Sequence, residues 1–182
     1  MGTIFVAGVY GVGKSTLCES LSLKLNIPAF SAGDLISRVN GEVYGANKAV
    51  KDKNYNQIVL EHEIHRILVN QSRILLAGHF NIFDREQNVI MLPVGVFKQL
   101  QIDLILLLES ECEQIWENLK KRDNSVYRIE SIRKLIDSER LVAGRVAEDI
   151  CKPLVVHKMS FNGNDAVACY NSIASYLTDF RG

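Results

Sequence analysis

The sequence predicts an α/β fold of three layers, αβα, built on a five-stranded parallel sheet. Three observations lead there. Five short apolar runs, at residues 3–7, 29–30, 73–77, 103–108 and 154–157, alternate with stretches patterned as helices, as they do when parallel strands are joined by crossover helices. The third and fourth runs are apolar almost without interruption, as in strands covered on both faces. A glycine-rich turn, Gly8-Val9-Tyr10-Gly11-Val12-Gly13-Lys14-Ser15, stands between the first run and the first helical pattern.

The helices follow in order. The first is expected over 13–25, with Leu17, Leu21 and Leu25 on one face. A second begins near Ala32 and stops near Asn40, ahead of Gly41. After a polar stretch at 41–54, a longer helix over 55–69 presents Ile58, Ile64, Ile67 and Leu68 as its apolar face. Past the third strand, NIFDREQNVIML sets two apolar pieces around the polar turn 84–88, which predicts a small β-hairpin. Pro93 and a short helix come next. Helices are expected over 111–122, where Trp116 packs with Ile115 and Leu119, and over 129–150. The last, over 165–180, covers the core with Val167, Ile173 and Leu177.

At 182 residues the chain has room for one domain with a substantial core. Lys and Arg number 21, as do Asp and Glu. That balance lacks the basic excess of a dedicated nucleic-acid binder, so no stable nucleic-acid complex is expected. Cys18, Cys112, Cys151 and Cys169 are widely spaced with no CxxC pair, which points to reduced and mostly buried thiols. No charged leader precedes the first apolar run. The longest such run, 104–108, falls far short of the ~20 residues that cross a bilayer. A soluble cytoplasmic protein with no membrane partner is expected. His62-Glu63-Ile64-His65 has HExH spacing rather than the HExxH of a zinc helix.

The turn fits GxxxxGK[ST], the P-loop pattern. A polyphosphate must approach the backbone closely while successive N–H groups point into one concavity. Side chains obstruct both, so Gly8, Gly11 and Gly13 stand where the loop bends, with Val12 between them. The positive end of the following helix favours the anion. Lys14 reaches the β/γ-phosphates, Ser15 offers a hydroxyl to Mg²⁺, and Thr16 adds a bond to the α-phosphate. ATP and Mg²⁺ are the expected cofactors. An acid usually supports the metal from the end of the third strand, but Leu75-Leu76-Ala77-Gly78-His79 places Ala77 there. Asp34 and Glu109 remain as candidates, and Asp34, acting through water, is favoured. Tyr10 occupies a variable loop position, where it could stack on a nucleotide, help shut the site, or lie half-exposed without a role.

Beyond the loop, Ser31-Ala32-Gly33-Asp34-Leu35-Ile36 resembles the STGDML segment of adenylate kinases. The remaining order is similar to the small archaeal-type members: AGH after the third strand, Leu92-Pro93, QIDLILLLES, the Arg-rich LKKRDNSVYRIESIRKL, and a helix carrying Ser-Glu-Arg. The resemblance covers about residues 3–156. It implies a P-loop NTPase fold with strand order 2-3-1-4-5, an acceptor-binding lobe at 31–72 and a short lid at 120–130. It implies a nucleoside monophosphate kinase using nucleotide substrates and moving the γ-phosphate of ATP·Mg²⁺. Ser31, Asp34, Arg38 and His79 would frame the acceptor. Arg122, Arg128 and Arg140 would close over the transferring group, each able to grip two phosphate oxygens. There are departures. The arginine that follows GDML in the family falls on Ser37, with Arg38 one place later, and the acid is missing at Ala77. Two other functions stay open: a kinase for another small molecule or a nucleic-acid end, in which Asp34 would be the base for a hydroxyl, and an ATP-binding or ATP-hydrolysing regulatory module.

Overall fold

The computed structural model describes residues 2–40, 53–84, 86–122 and 127–179. Five strands form the central sheet: β1 (Gly2–Ala7), β2 (Ala29–Ser31), β3 (Arg73–Ala77), β6 (Ile102–Glu109) and β7 (Leu154–Lys158). Their order is β2-β3-β1-β6-β7 and every pairing is parallel, which is the predicted 2-3-1-4-5 arrangement. The extra two strands, β4 (Asn81–Phe83) and β5 (Val89–Met91), pair antiparallel as the expected hairpin. Its turn is set by Asp84, whose Oδ1 accepts from the backbone N–H of Glu86 and Asn88, each at 2.8 Å, a local bond that aspartate makes readily.

Strand periodicity sorts the core into two. Ile4 and Val6 of β1, with Leu75, Leu104 and Leu106, face one side of the sheet. Phe5 and Ala7, with Ile74, Leu76 and Ile105, face the other. The first side is covered by α1 (Lys14–Leu25), α5 (Cys112–Arg122) and α7 (Asp165–Asp179). The second is covered by α2 (Ala32–Asn40), α3 (Lys53–Leu68) and α4 (Val94–Gln99). Helix α6 (Ile129–Asp149) joins both: Ile132 and Leu135 enter the first core, Val142 and Val146 the second. Its middle is therefore brought to the sheet between them.

Two helix faces differ from expectation. On α3 the sheet takes Leu60, Ile64 and Leu68, while Ile58 is 55% exposed. The i, i+4, i+8 row buries three leucine-class side chains, each stabilising by roughly 1.5–3 kcal/mol, and that row excludes position 58. On α7 Cys169 and Ile173 are fully buried, and Val167 is turned out. All four cysteines are free: Cys18 and Cys169 are buried, Cys112 is partly buried and Cys151 is exposed. Burial pushes the Cys18 and Cys169 thiols up to about 12, so neither is a reactive thiolate. Among the described residues no helix is long and apolar enough to cross a membrane.

Candidate functional site

The parallel register brings five strand ends to one edge. Ser31 pairs with Ala77, Ala77 with Val6, Ala7 with Leu107, and Glu109 with Lys158. The loop that follows β1 leaves from the middle of that edge, where ligands sit in open α/β sheets. Its glycines meet real constraints. Gly8 has φ 146°, and a Cβ there would lie 2.7 Å from the Leu108 carbonyl oxygen. Gly11 has φ 79°, with Leu119 Cγ 3.0 Å from the same notional atom. The Asn118 side-chain amide donates to the Gly11 carbonyl at 2.9 Å, so α5 fixes the loop from outside.

Helix α1 starts at Lys14 with no side-chain cap from Gly13, leaving its first amides open to an anion. Ser15 and Thr16 are exposed on that first turn. An open amide cradle beside an exposed hydroxyl fits a polyphosphate with Mg²⁺ reached by Ser15. Lys14 Nζ donates to the carbonyls of Gly8 and Val9, both at 2.9 Å. Burial drives its pKa down to about 7, against the attraction of Glu139 and with the repulsion of Arg122. The ammonium is thus folded back over its own loop.

On the β2–β3 side, Ser31 Oγ accepts from the Asp34 N–H at 3.3 Å, serving the first turn of α2 as a capping hydroxyl does. Asp34 and Arg38 are exposed on α2, and among the described residues no hydrogen bond joins either to Ser15. His79 follows β3, and its ring lies 4.3 Å from that of Tyr10. Tyr10 in turn stacks toward Phe83 of β4 at 5.9 Å, and Phe83 meets Tyr127 at 6.3 Å. Tyr10 is thus neither idle nor loose. It ties the loop to the hairpin through a row of rings.

The arginines divide. Arg140 Nε lies 2.7 Å from Glu109 Oε1 and a terminal nitrogen donates to Oε2 at 2.8 Å, which occupies one of the two carboxylates considered for the metal. Arg140 stays largely exposed at the sheet edge. Arg128 donates to the Glu86 carbonyl, and its backbone N–H to Gln87 Oε1 at 3.0 Å, so it fastens the start of α6 to the hairpin turn. Arg122 ends α5, exposed and close enough to Lys14 for its charge to act there. The central part of the expected lid, 123–126, and part of the expected acceptor lobe, 41–52, lie outside the described residues.

Two groups were not foreseen. Glu139 of α6 is 2% exposed and binds the turn after β3. Its signal was present, for it is a lone charge on the apolar stripe of α6 between Leu135 and Val142. The second is the loop after β7, where Met159 and Phe161 come within 3.4 and 3.6 Å of where a Gly13 Cβ would be. Asp165 holds that loop, accepting from the N–H groups of Ser160 and Phe161.

A family model described as an AAA domain matches residues 7–135. The chain is 30% identical over 80 residues to a cytidylate kinase of Sulfolobus acidocaldarius, covering 42% of this chain and 44% of that protein. It is 29% identical over 113 residues to a shikimate kinase of Zymomonas mobilis subsp. mobilis, covering 62% and 64%. The chain therefore spans less than two thirds of each of these curated relatives. A crystal structure of shikimate kinase from Acinetobacter baumannii in complex with shikimate superposes with TM-score 0.60 at 13% identity, over 98% of this chain and 94% of that one. A gluconokinase from Sinorhizobium meliloti 1021 gives 0.57 at 14%, over 97% and 95%. At such identities the structural likeness is one of fold.

Proposed function

The chain belongs to the AAA domain family, and from that premise we propose a phosphotransferase that moves the γ-phosphate of ATP·Mg²⁺ to a small molecule, with a nucleoside monophosphate as the leading acceptor. One observation carries this: the open cradle with Lys14 shares a sheet edge with Ser31 and His79 on one side and Arg140 on the other. A cradle alone suits a switch; flanking groups for a second anionic substrate suit transfer.

Transfer asks for positioning and charge neutralisation more than covalent chemistry. In this proposal the loop amides of Gly8, Gly11, Val12 and Gly13 and the ammonium of Lys14 hold the donor phosphates, Thr16 adds to them, and Ser15 holds Mg²⁺. Ser31, Asp34, Arg38 and His79 frame the acceptor. Arg122 and Arg140 close over the transferring group. Arg128 acts at one remove, by holding the hairpin. The lobe at 31–72 binds the acceptor and the segment 120–130 is the lid. A phosphate acceptor needs no base. The nucleotide reading draws support from the SAGDLI segment that opens α2 and from the cytidylate kinase relative.

A second reading, a hydroxyl acceptor such as a polyhydroxy acid, is favoured by the shikimate kinase relative. Asp34, exposed at the start of α2, would then take the proton. The deciding assay offers ATP and Mg²⁺ with AMP, CMP, GMP, UMP, their deoxy forms, shikimate, gluconate, or no acceptor. A monophosphate should be converted to its diphosphate. If every nucleotide stays unphosphorylated, the leading reading fails; turnover of an acid supports the second, and phosphate release without acceptor supports a hydrolase.

Arg140→Ala should slow transfer by roughly a hundredfold and shift the melting temperature by under about 4 °C. Arg140 itself is largely exposed, although Glu109 is half-buried, and an ion pair with one solvent-exposed partner stabilises by about 1 kcal/mol. Steady-state rates and thermal melts on one preparation check both halves; an unchanged rate removes Arg140 from the site.

A further inference from the structure

Burying a carboxylate is costly unless donors surround it, and the stripe of α6 buries one. Glu139 accepts from the N–H of Phe80, from the N–H of Asn81 and from the Asn81 side-chain amide, all at 2.9 Å. Ser138 donates to Asn81 Oδ1, also at 2.9 Å, so two successive residues of α6 clasp the same turn. That turn continues β3 directly. Gly78 N–H donates to the Val6 carbonyl at 3.0 Å, and two residues past Val6 the cradle begins at Gly8. His79, inside the turn, leans on Tyr10 of the cradle.

Oε2 takes two of the three bonds and Oε1 only one, which leaves acceptor capacity on Oε1. Ala77, at the end of β3, offers no charge. Glu139 is therefore a carboxylate held by a helix against the turn that leaves β3, on Phe80 and Asn81 rather than on Ala77 itself. Its charge acts on Lys14 without an ion-pair contact among the described residues; burial raises the Glu139 pKa above the ordinary carboxylate value, and the Phe80 and Asn81 donors and Lys14 oppose that rise.

We propose that Glu139 is a positioning residue of the phosphate site: from α6 it supplies the negative charge that the end of β3 lacks at Ala77, and so sets the preference of the cradle for Mg²⁺-bound over bare nucleotide. The proposal rests on the cradle being a nucleotide–Mg²⁺ site. Its sign follows from Coulomb's law. A fixed anion beside a polyphosphate repels the bare tetra-anion more than the metal-neutralised one, and it attracts the metal's waters. A carboxylate that only clasps the turn would change both forms alike.

The test measures ADP and ATP affinity by calorimetry, with Mg²⁺ and with EDTA, for the wild type, Glu139→Gln and the double variant Ala77→Asp/Glu139→Gln. The wild type should bind the Mg²⁺ form more tightly. In Glu139→Gln that ratio should fall about tenfold, with metal-free affinity unchanged or higher, and the double variant should recover it. Equal weakening of both forms in Glu139→Gln, or an unchanged ratio, overturns the proposal while leaving the nucleotide site standing. Absence of nucleotide binding by the folded wild type overturns the site itself. Should Glu139→Gln not fold, the single variant Ala77→Asp decides. If Glu139 already supplies the charge, a second acid changes the ratio by less than about twofold, whereas a rise of about tenfold shows the charge was missing and defeats the proposal.

Discussion

Lys14→Ala should lower phosphoryl transfer by about a thousandfold, the scale at which an enzyme loses a fixed group aimed at developing charge, while the protein melts within about 3 °C of the wild type. The two halves have separate causes. The ammonium is held by two carbonyls of its own loop, Gly8 and Val9, at 2.9 Å, and burial drives its pKa down to about 7. A cation whose site disfavours its charge adds little to folding. The loop is kept in shape by other means: the left-handed glycines, the Asn118 bond to Gly11, and Tyr10 packed between His79 and Phe83. In the proposed reaction the same cation leaves the carbonyls for the β/γ-phosphates, where nothing else in the cradle replaces a movable positive charge. Lys14→Arg should be nearly as slow, because a planar fork on a different stem does not replace a compact point charge. Rates with saturating ATP·Mg²⁺ and a thermal melt test this together. A variant within tenfold of the wild-type rate would show that the cradle does not perform the transfer.

What the sequence made legible follows its local periodicities. Alternation and apolar runs located the five core strands, and NIFDREQNVIML located the hairpin, because such patterns are properties of neighbouring residues. The glycine loop was legible for the same reason. Faces were harder. On α3, Ile58 and Leu60 are both apolar, and only the position of the sheet selects the row through Leu60, Ile64 and Leu68. The candidate site was legible where one segment supplies it and obscure where two segments meet. The absence of an acid at Ala77 is visible in the sequence, and the candidates that local pattern offers beside it, Asp34 and Glu109, stand at a helix start and a strand end. Glu139, the carboxylate proposed to act in its place, comes from a helix 62 residues later that contributes to both cores, a placement that depends on the tertiary path of α6. Arg128 shows the converse. Its position beside the expected lid suggested phosphate, and the fold gives its guanidinium the Glu86 carbonyl of the hairpin.

Asp165→Ala should reduce the melting temperature by about 10 °C and weaken nucleotide binding as well. Asp165 Oδ1 lies 2.8 Å from His157 Nε2 and accepts from Ser160 N–H at 2.8 Å and Ser160 Oγ at 3.0 Å, while Oδ2 accepts from Phe161 N–H at 2.8 Å. Truncation leaves two backbone donors and a histidine without their shared acceptor, in a part-buried site under the exposed loop. Bonds to a charged acceptor contribute about 1.5–3 kcal/mol each, and because they share one carboxylate about 3–4 kcal/mol in total is a reasonable expectation. For a domain of this size each kcal/mol moves the midpoint by about 2–4 °C. The loss reaches the site because Phe161 sits at φ 56°, a left-handed conformation that a bulky residue keeps only when neighbours fix it, and its ring borders Gly13. The pH dependence has a definite sign. Burial works to raise the Asp165 pKa, but the Ser160 and Phe161 donors and His157 outweigh it and hold the carboxyl below its ordinary value. Its stabilisation is therefore fully present above the unfolded value of about 4 and is lost as pH falls through the lowered folded value. Asp165→Asn should accordingly melt well below the wild type at pH 7, with the gap narrowing below about pH 4. Melting of Asp165→Ala within about 2 °C of the wild type would show that the loop needs no such anchor. A large fall in midpoint with ADP affinity unchanged would confine Asp165 to the fold and remove the Met159–Phe161 loop from the nucleotide site.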